Sequence, residues 1–332
     1  MLADRSSLTE PEVLDLVSGG DAEAVGPFAG RPALVVRLDG ATGALPAATA
    51  VLPCVVVGVG VPGDVTVGCD VLVTDVEDPP APWVQADPSA VVAAAEASPA
   101  AAVALAQLLR LGPRLDVYGA LVAESLTYGL LQSGPMYREW LATRRKRQHV
   151  ASTRPVLVER EGTQLSITLN RPEVRNAFDV AMRDALVEAF RLVAADPSIT
   201  SVEWRGDGDN FCSGGDLAEF GTVPDPVTGH LVRMSRSAGV ALAAVADRVT
   251  AYLHGACVGA GIELPALAHR VVAAPRTTFR LPEVTFGLVP GAGGTATIPR
   301  RIGWPRTAWL GLTGVVLDVD MAVAWGLVDA VE

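Results

Sequence analysis

The sequence predicts an α/β protein. Three observations carry this. Short β-branched runs are bounded by Gly, Pro or Asp, as strands are. Longer stretches hold apolar residues on one face at helical spacing. From residue 152 onward the two kinds of segment alternate, which implies βαβ units and a mostly parallel sheet. The chain has 332 residues, and half are hydrophobic, so one large or two ordinary domains can bury a sizeable core.

Three strand-like runs come first, at 33–39 (ALVVRLD), 54–60 (CVVVGVG) and 70–75 (DVLVTD). Gly58, Gly60 and Gly63 give a G-x-G-x-x-G pattern directly after the second run. A dinucleotide site needs a helix to open inside that motif, so that its first amides face the pyrophosphate. Pro62-Gly63-Asp64 breaks any such helix, and a turn between strands is expected instead. A Pro-rich break, EDPPAPW (77–83), precedes helical patterns at 89–111, 117–131 and 135–148. The last is expected to end in RRKRQH, a solvated basic helix end that suits the negative pole of the helix.

The second half opens with a strand at 164–170. An amphipathic helix follows at 178–196, with Phe178, Met182, Ala185, Leu186, Ala189 and Val193 on one face. Next come a strand at 200–206, the loop DGDNFCSGGDL, a helix at 229–247 and a strand at 249–255. GACVGAGIELP (255–265) leads from that strand toward a further strand at 270–275. The Pro/Gly-rich stretch 218–230 is expected to form a mobile lid over a pocket.

Composition narrows the partners. A net charge of −11 argues against nucleic acid and anionic membrane surfaces. The first residues show no basic region followed by an apolar one, so no signal peptide is expected. The apolar stretch 90–109 contains Glu96, Pro99 and Gln107 and is read as packed helices, not a membrane span. Cys54, Cys69, Cys212 and Cys257 form no CxxC pair, and His149, His230, His254 and His269 lack ligand spacing. No metal site is expected, and a reducing cytoplasmic setting is.

The chemistry is expected in two glycine-rich loops and two acids. Gly255, Gly259 and Gly261 let a ligand approach the backbone closely. Leu264 stands where a phosphate loop would need its third glycine. Pro265 has no N–H and is tolerated only in a first turn, so a helix is expected to begin just before it. That leaves the amides of 260–263 unpaired and available to a developing oxyanion. CSGGDL (212–217) offers the same from a second loop.

Four segments make a constellation: NRPEVRNAF (170–178), FCSGGDL (211–217), GACVGAGIEL (255–264) and FRLPEVTFGLVPGAGGT (279–295). Their order and spacing resemble the crotonase (enoyl-CoA hydratase/isomerase) superfamily over about 155–332. The resemblance implies a crotonase-like ββα spiral core acting on an acyl-CoA thioester, with coenzyme A as part of the substrate and no other cofactor. It implies an oxyanion hole from the N–H groups of Gly215 and Ala260, although the family often has Gly where Ala260 stands. It further implies that Glu263 activates a water and Glu283 delivers a proton, hydrating a trans-2-enoyl-CoA. The substrate side would involve Arg175, Ala177, Ser213, Gly214, Asp216, Leu217, Gly259, Pro290 and Gly291, with Asp216 more suited to fixing its own loop. A homo-oligomer, trimer or hexamer, is also implied. An isomerase, a thioester hydrolase, a cofactor-free dioxygenase and a non-catalytic acyl-CoA-binding subunit remain the alternatives.

The sequence departs from the family at its ends. It stops at WGLVDAVE, where the family continues into a helical tail. ASPAAAVALAQLLR (97–110) and the helical run 121–147 look like that tail, and the strands at about 30–76 look like a degenerate crotonase core. Residues 1–150 are therefore expected to supply degenerate strands and a replacement tail (about 88–148), and 151–332 the catalytic core. The replacement tail, in this subunit or a neighbour, should then pack near Glu263 and Glu283.

Overall fold

The structure, a computed structural model, describes residues 7–19, 21–38, 45, 49–63, 68–146 and 148–332. Its first half is built on a parallel sheet whose strands lie in chain order: β1 (Ser7–Thr9), β2 (Ala33–Arg37), β3 (Val55–Val59), β4 (Val71–Thr74) and β5 (Val84–Gln85). Alternation sorts the side chains to the two faces. Val55, Val57, Val71 and Val73 face one core, while Leu34, Val36, Val56 and Leu72 face another with Trp83 and Val13. Val13 belongs to helix α1 (Glu10–Ser18). A parallel sheet covered on both faces explains why these strands read as continuous apolar runs.

Helices follow: α2 (Pro88–Ala97), α3 (Pro99–Leu111), α4 (Val117–Gln132) and α5 (Pro135–Thr143). The expected single helix at 89–111 is two, bent by 117° at Ser98. Pro99 removes an amide and pushes Ser98 out of the helical region, to φ −135° and ψ 59°. Among the described residues no single helix is long and apolar enough to cross a membrane. The expected helix 135–148 ends at Thr143, so the basic run is not a helix end. Arg144 is extended, lies over the Trp140 ring and donates to the Phe220 carbonyl at 2.9 Å. The glycines after β3 open no helix among the described residues before β4; residues 64–67 lie outside them.

The second half carries the larger mixed sheet. A hairpin of β6 (Val156–Glu161) and β7 (Gln164–Leu169) starts it. Helix α6 (Val180–Ala195) then crosses to β8 (Ser201–Gly206). Asp179 caps α6 by accepting from Met182 N at 2.8 Å, which starts the helix two residues later than expected. Instead of one helix over 229–247 there are two, α7 (Pro226–Ser235) and α8 (Ala238–Ala243), capped by Asp225 and Ser237. The elements β9 (Val249–Leu253), β10 (Ala256–Val258), α9 (Ala260–Glu263), β11 (Arg270–Ala273) and β12 (Thr278–Arg280) follow. The chain closes with α10 (Gly294–Thr297), α11 (Pro299–Ile302), α12 (Trp304–Thr313), β13 (Leu317–Asp318), α13 (Val319–Trp325) and β14 (Ala330–Val331). The sheet order is β14-β11-β9-β8-β7-β6, parallel except for the opening hairpin. β10, β12 and β13 form a separate small sheet.

The halves share one core. Val284, Leu288, Val289, Ala308 and Leu312 are buried with Val55, Val57, Leu105 and Leu109. Arg306 of α12 donates to the Trp83 carbonyl at 3.2 Å. Within the first half, Arg110 of α3 grips both Asp70 oxygens, at 2.8 and 2.6 Å, and the carbonyls of Leu52 and Cys54.

Candidate active site

The two glycine-rich loops meet. Phe178 N donates to Gly214 O and Asp216 N to Phe178 O, both at 2.8 Å, so the Gly215 amide between them is left over. Val258 N donates to Cys212 O at 3.0 Å and pins the second loop beside the first. A β-carbon on Gly261 would lie 2.3 Å from Cys212 O, so only glycine allows this approach. Gly259 sits at φ 49°, which turns its carbonyl back to accept from Ile262 N at 2.8 Å and Glu263 N at 2.9 Å.

This corrects two expectations. Helix α9 starts at Ala260, and Pro265 opens a separate 3-10 turn, Pro265–Leu267. The amides of 262 and 263 are therefore paired rather than free. Among the described residues, the N–H groups of Gly215 and Ala260 have no acceptor, and both residues line one cavity of about 240 Å³.

The acids converge on the same cavity. Glu263 is buried, and its Oε2 accepts from Ala292 N at 2.8 Å and Gly294 N at 2.9 Å. Its Oε1 lies 3.4 Å, and Glu283 Oε1 2.6 Å, from the point where a Gly259 β-carbon would stand. The two carboxyl groups thus share the space that glycine leaves open. Glu283 opens the 3-10 turn Glu283–Phe286 after β12, and its Oε2 is buried with no hydrogen-bond partner among the described residues. Burial raises the pKa of Glu263 to about 7, opposed by the amides of Ala292 and Gly294. Burial, then the Glu263 charge, drives Glu283 well above the ordinary carboxylate range. Amide donors favour the carboxylate at Glu263, and their lack at Glu283 Oε2 favours the acid there. The geometry can therefore hold a base and an acid side by side.

A third carboxylate, not anticipated from the sequence, comes from α4. Glu124 Oε1 accepts from Gly293 N at 2.7 Å, and its Oε2 accepts from Thr295 N at 2.8 Å and Thr295 Oγ1 at 2.7 Å. The loop 291–295 thus presents alternate amides to opposite sides, 292 and 294 to Glu263 and 293 and 295 to Glu124. Burial, followed by the Glu263 charge, holds Glu124 above the ordinary range as well. One signal was available: Glu124 is a lone acid on an apolar helix, among Ala120, Leu121, Tyr128 and Leu131.

Of the other anticipated residues, Asp216 and Gly291 line the cavity. Asp216 accepts from Ala218 N at 3.0 Å and pairs with buried Arg171 at 3.1 Å, the loop-fixing arrangement expected of it. Ala177, Ser213, Gly214, Leu217, Gly259 and Pro290 do not line the cavity; they belong to the loops that frame it. Arg175 is exposed, in the left-handed region at φ 55°, and its carbonyl accepts from Ser213 N at 3.0 Å. Phe220, Gly221 and Val223 of the anticipated lid do line the cavity. His149, whose place in the sequence suggested no metal-ligand spacing, lies 3.1 Å from Asp179 and 3.8 Å from Glu219. Asp179 is also held by Arg171 at 3.1 Å and by the α6 cap.

The helices of the first half complete the cavity. Leu121, Glu124, Ser125, Tyr128 and Gln132 of α4 and Tyr137 of α5 form part of its wall. Trp140 of α5 stacks on Phe286, in the turn that carries Glu283, with ring centres 4.7 Å apart.

The sequence pattern of the enoyl-CoA hydratase/isomerase family matches residues 159–332. The chain is 35% identical over 176 residues to the 2,3-dehydroadipyl-CoA hydratase of Escherichia coli, covering 53% of this chain and 68% of that enzyme. It is 29% identical over 167 residues to the trans-2-decenoyl-[acyl-carrier-protein] isomerase of Streptococcus mutans, covering 49% of this chain and 64% of the other. The crystal structure of the enoyl-CoA hydratase of Mycobacterium smegmatis superposes with a TM-score of 0.50 at 31% identity, over 53% of this chain and 69% of that one. The chain spans about half the length, or less, of other curated relatives. The protein belongs to the enoyl-CoA hydratase/isomerase family and has the crotonase fold, with an additional N-terminal α/β region.

Proposed function

We propose that the protein hydrates the C2=C3 double bond of a trans-2-enoyl-CoA. The observation that carries this reading is the Glu263/Glu283 pair, unequal in donors, facing one space beside two free amides. The thioester oxygen accepts from Gly215 N and Ala260 N, which favours negative charge there. Glu263, as carboxylate, takes a proton from water while the water oxygen bonds to C3. The C2=C3 electron pair moves to C2 and into the thioester enolate. Collapse of the enolate takes a proton from Glu283 at C2, giving the 3-hydroxyacyl-CoA. Glu263 leaves the step protonated and Glu283 ionised, and one proton passed between them restores the pair. An isomerase has no need of a water-activating base beside its proton carrier, so the facing pair of glutamates supports hydration over isomerisation.

We further propose that α2–α5 take the place of the family's C-terminal helices within the same chain. Glu124 bonded to the loop that holds Glu263 supports this. Turnover is tested by loss of the enoyl absorbance of crotonyl-CoA. Glu263→Gln and Glu283→Gln should each lower kcat by ~10²–10⁴. A loss below about tenfold in either would remove its assigned role. CoA-thioester binding without turnover by the wild type would point to a non-catalytic subunit.

A further inference from the structure

The two glutamates and two amides account for the reacting atoms, but not for one wall of the cavity. Three arginines line it: Arg183, Arg233 and Arg236. Arg183 pairs with Asp184 at 2.7 Å, and Arg236 pairs with Asp184 at 3.3 Å and Glu188 at 2.7 Å. Among the described residues, Arg233 alone of the three has no carboxylate within ion-pair distance. Glu124 does not neutralise it by contact, because its oxygens are taken by Gly293 and Thr295.

The Arg233 fork is nevertheless fixed. Nε donates to Ser125 Oγ at 3.0 Å, Nη2 to the Ser125 carbonyl at 3.1 Å and Nη1 to Gln132 Oε1 at 3.4 Å. Its guanidinium carbon stands 4.8 Å from the centre of the Tyr128 ring. A guanidinium carries five N–H donors, so two remain for another acceptor. Tyr137 lines the same cavity, is 3% exposed, and has a buried hydroxyl that makes no hydrogen bond of ordinary geometry, its nearest polar groups being Gln132 and the Gly221 backbone. A tether between α7 and α4 explains the bonds to Ser125. It does not explain a part-buried guanidinium without a paired carboxylate on the same cavity wall as a buried hydroxyl that makes no ordinary hydrogen bond, since such groups are costly unless water or a ligand satisfies them.

The position of this wall fits the far end of an acyl chain. A β-carbon on Gly291 would lie 2.5 Å from the Tyr128 ring, so the ring packs directly on the loop that Glu263 holds. From Glu263 outward the order is loop, Tyr128, Arg233. The loop and the Tyr128 ring thus separate Glu263 from the Arg233 guanidinium. We propose that Arg233 and Tyr137 receive a carboxylate at the distal end of the acyl group, so that the substrates are thioesters of dicarboxylic acids. The proposal rests on the reading of this cavity as an acyl-CoA site.

The test uses the full chain and saturated acyl-CoAs of four, six and eight carbons, each with a terminal methyl or a terminal carboxylate. Binding is measured by calorimetry, so it does not depend on turnover. A charge-assisted hydrogen bond in a partly buried site should favour the carboxylated member by about tenfold or more at the matching length. Arg233→Met should abolish that preference, and Arg233→Lys should retain part of it. Equal binding of both members at every length by the wild type overturns the proposal, whether or not the variants fold. Preferential binding by the wild type that persists in a folded Arg233→Met variant removes Arg233 as the receptor. The hydration reading is scored separately with the matching enoyl-CoAs. Preference without hydration leaves this inference standing and removes the hydratase; hydration without preference does the reverse.

Discussion

At the scale of single residues, the proposed hydration sets two carboxyl groups of the same type to opposite tasks through what surrounds them. Glu263 must act ionised, so the rate should rise as pH climbs through its raised pKa, about 7. Glu283 must act protonated, so the rate should fall when pH passes its own raised value. The profile should be a bell whose apparent limbs belong to the coupled pair, with little activity at pH about 5, where an ordinary glutamate is already ionised. A rate plateau reaching down to that pH would contradict the assignment. Glu124 acts one step back. Glu124→Gln puts an NH₂ group against the amide of either Gly293 or Thr295, leaving a buried donor unpaired at a cost of ~1–3 kcal/mol. The loop then no longer presents Ala292 N and Gly294 N squarely to Glu263. We expect kcat to fall about tenfold or more with KM changed little, because the misplaced group meets the water rather than the thioester. An equal effect on KM alone would assign Glu124 to substrate binding. Gly215, Ala260, Glu263 and Glu283 were named through the resemblance of the loop motifs, and the fold brings all four to one cavity, whereas the local signal of Pro265 misplaced the helix start. Glu124 was hidden because its partners lie 169 and 171 residues away in the chain.

At the scale of elements, strands were easier to find than helix ends. β3 and β4 are buried on both faces and β2 is buried on one and partly covered on the other, so their apolar runs are continuous and bounded by turn residues. Periodicity cannot show where one apolar helix becomes two. The breaks at Ser98 and between α7 and α8 depend on Pro99 and on the caps Asp225 and Ser237, which are punctuation rather than period. The strands of β1, β5, β10 and β13 have two or three residues each, too short for alternation to register. Equally invisible was the charge pair that adds to the apolar packing of α3 on the first sheet. Arg110 is bidentate to Asp70, which also accepts from Val56 N at 2.7 Å. Asp70→Ala would leave the guanidinium of Arg110 without its counter-charge in a largely buried position, a loss of ~3–5 kcal/mol. Thermal unfolding should move down by several degrees, while Arg110→Met/Asp70→Leu together should recover much of the loss. If the double variant is as unstable as Asp70→Ala, the cost lies in packing rather than in the unpaired charge.

At the scale of the whole molecule, the family resemblance stops near residue 155, but the folded unit does not. Leu288 and Val289, on the chain between Glu283 and the 291–295 loop, are fully buried in a core whose other side is Val55, Val57, Val71 and Val73 of the first sheet, with Leu105 and Leu109 of α3. Ala120 and Leu121 of α4 are buried with Ala296 of α10. Removing residues 1–150 would uncover these apolar surfaces together with Glu124's partners on the loop. A fragment of 151–332 should therefore aggregate or remain loosely folded, and should not turn over an enoyl-CoA, although it keeps Gly215, Ala260, Glu263 and Glu283. Supplying 1–150 as a separate chain should restore solubility and part of the activity, because the contacts between the halves are mainly burial and hydrogen bonds to a preformed loop. Activity should then saturate with the concentration of the added piece. A soluble 151–332 fragment with wild-type kcat would show that the first half is an appendage, and would remove both the positioning role of Glu124 and the replacement of the tail by α2–α5.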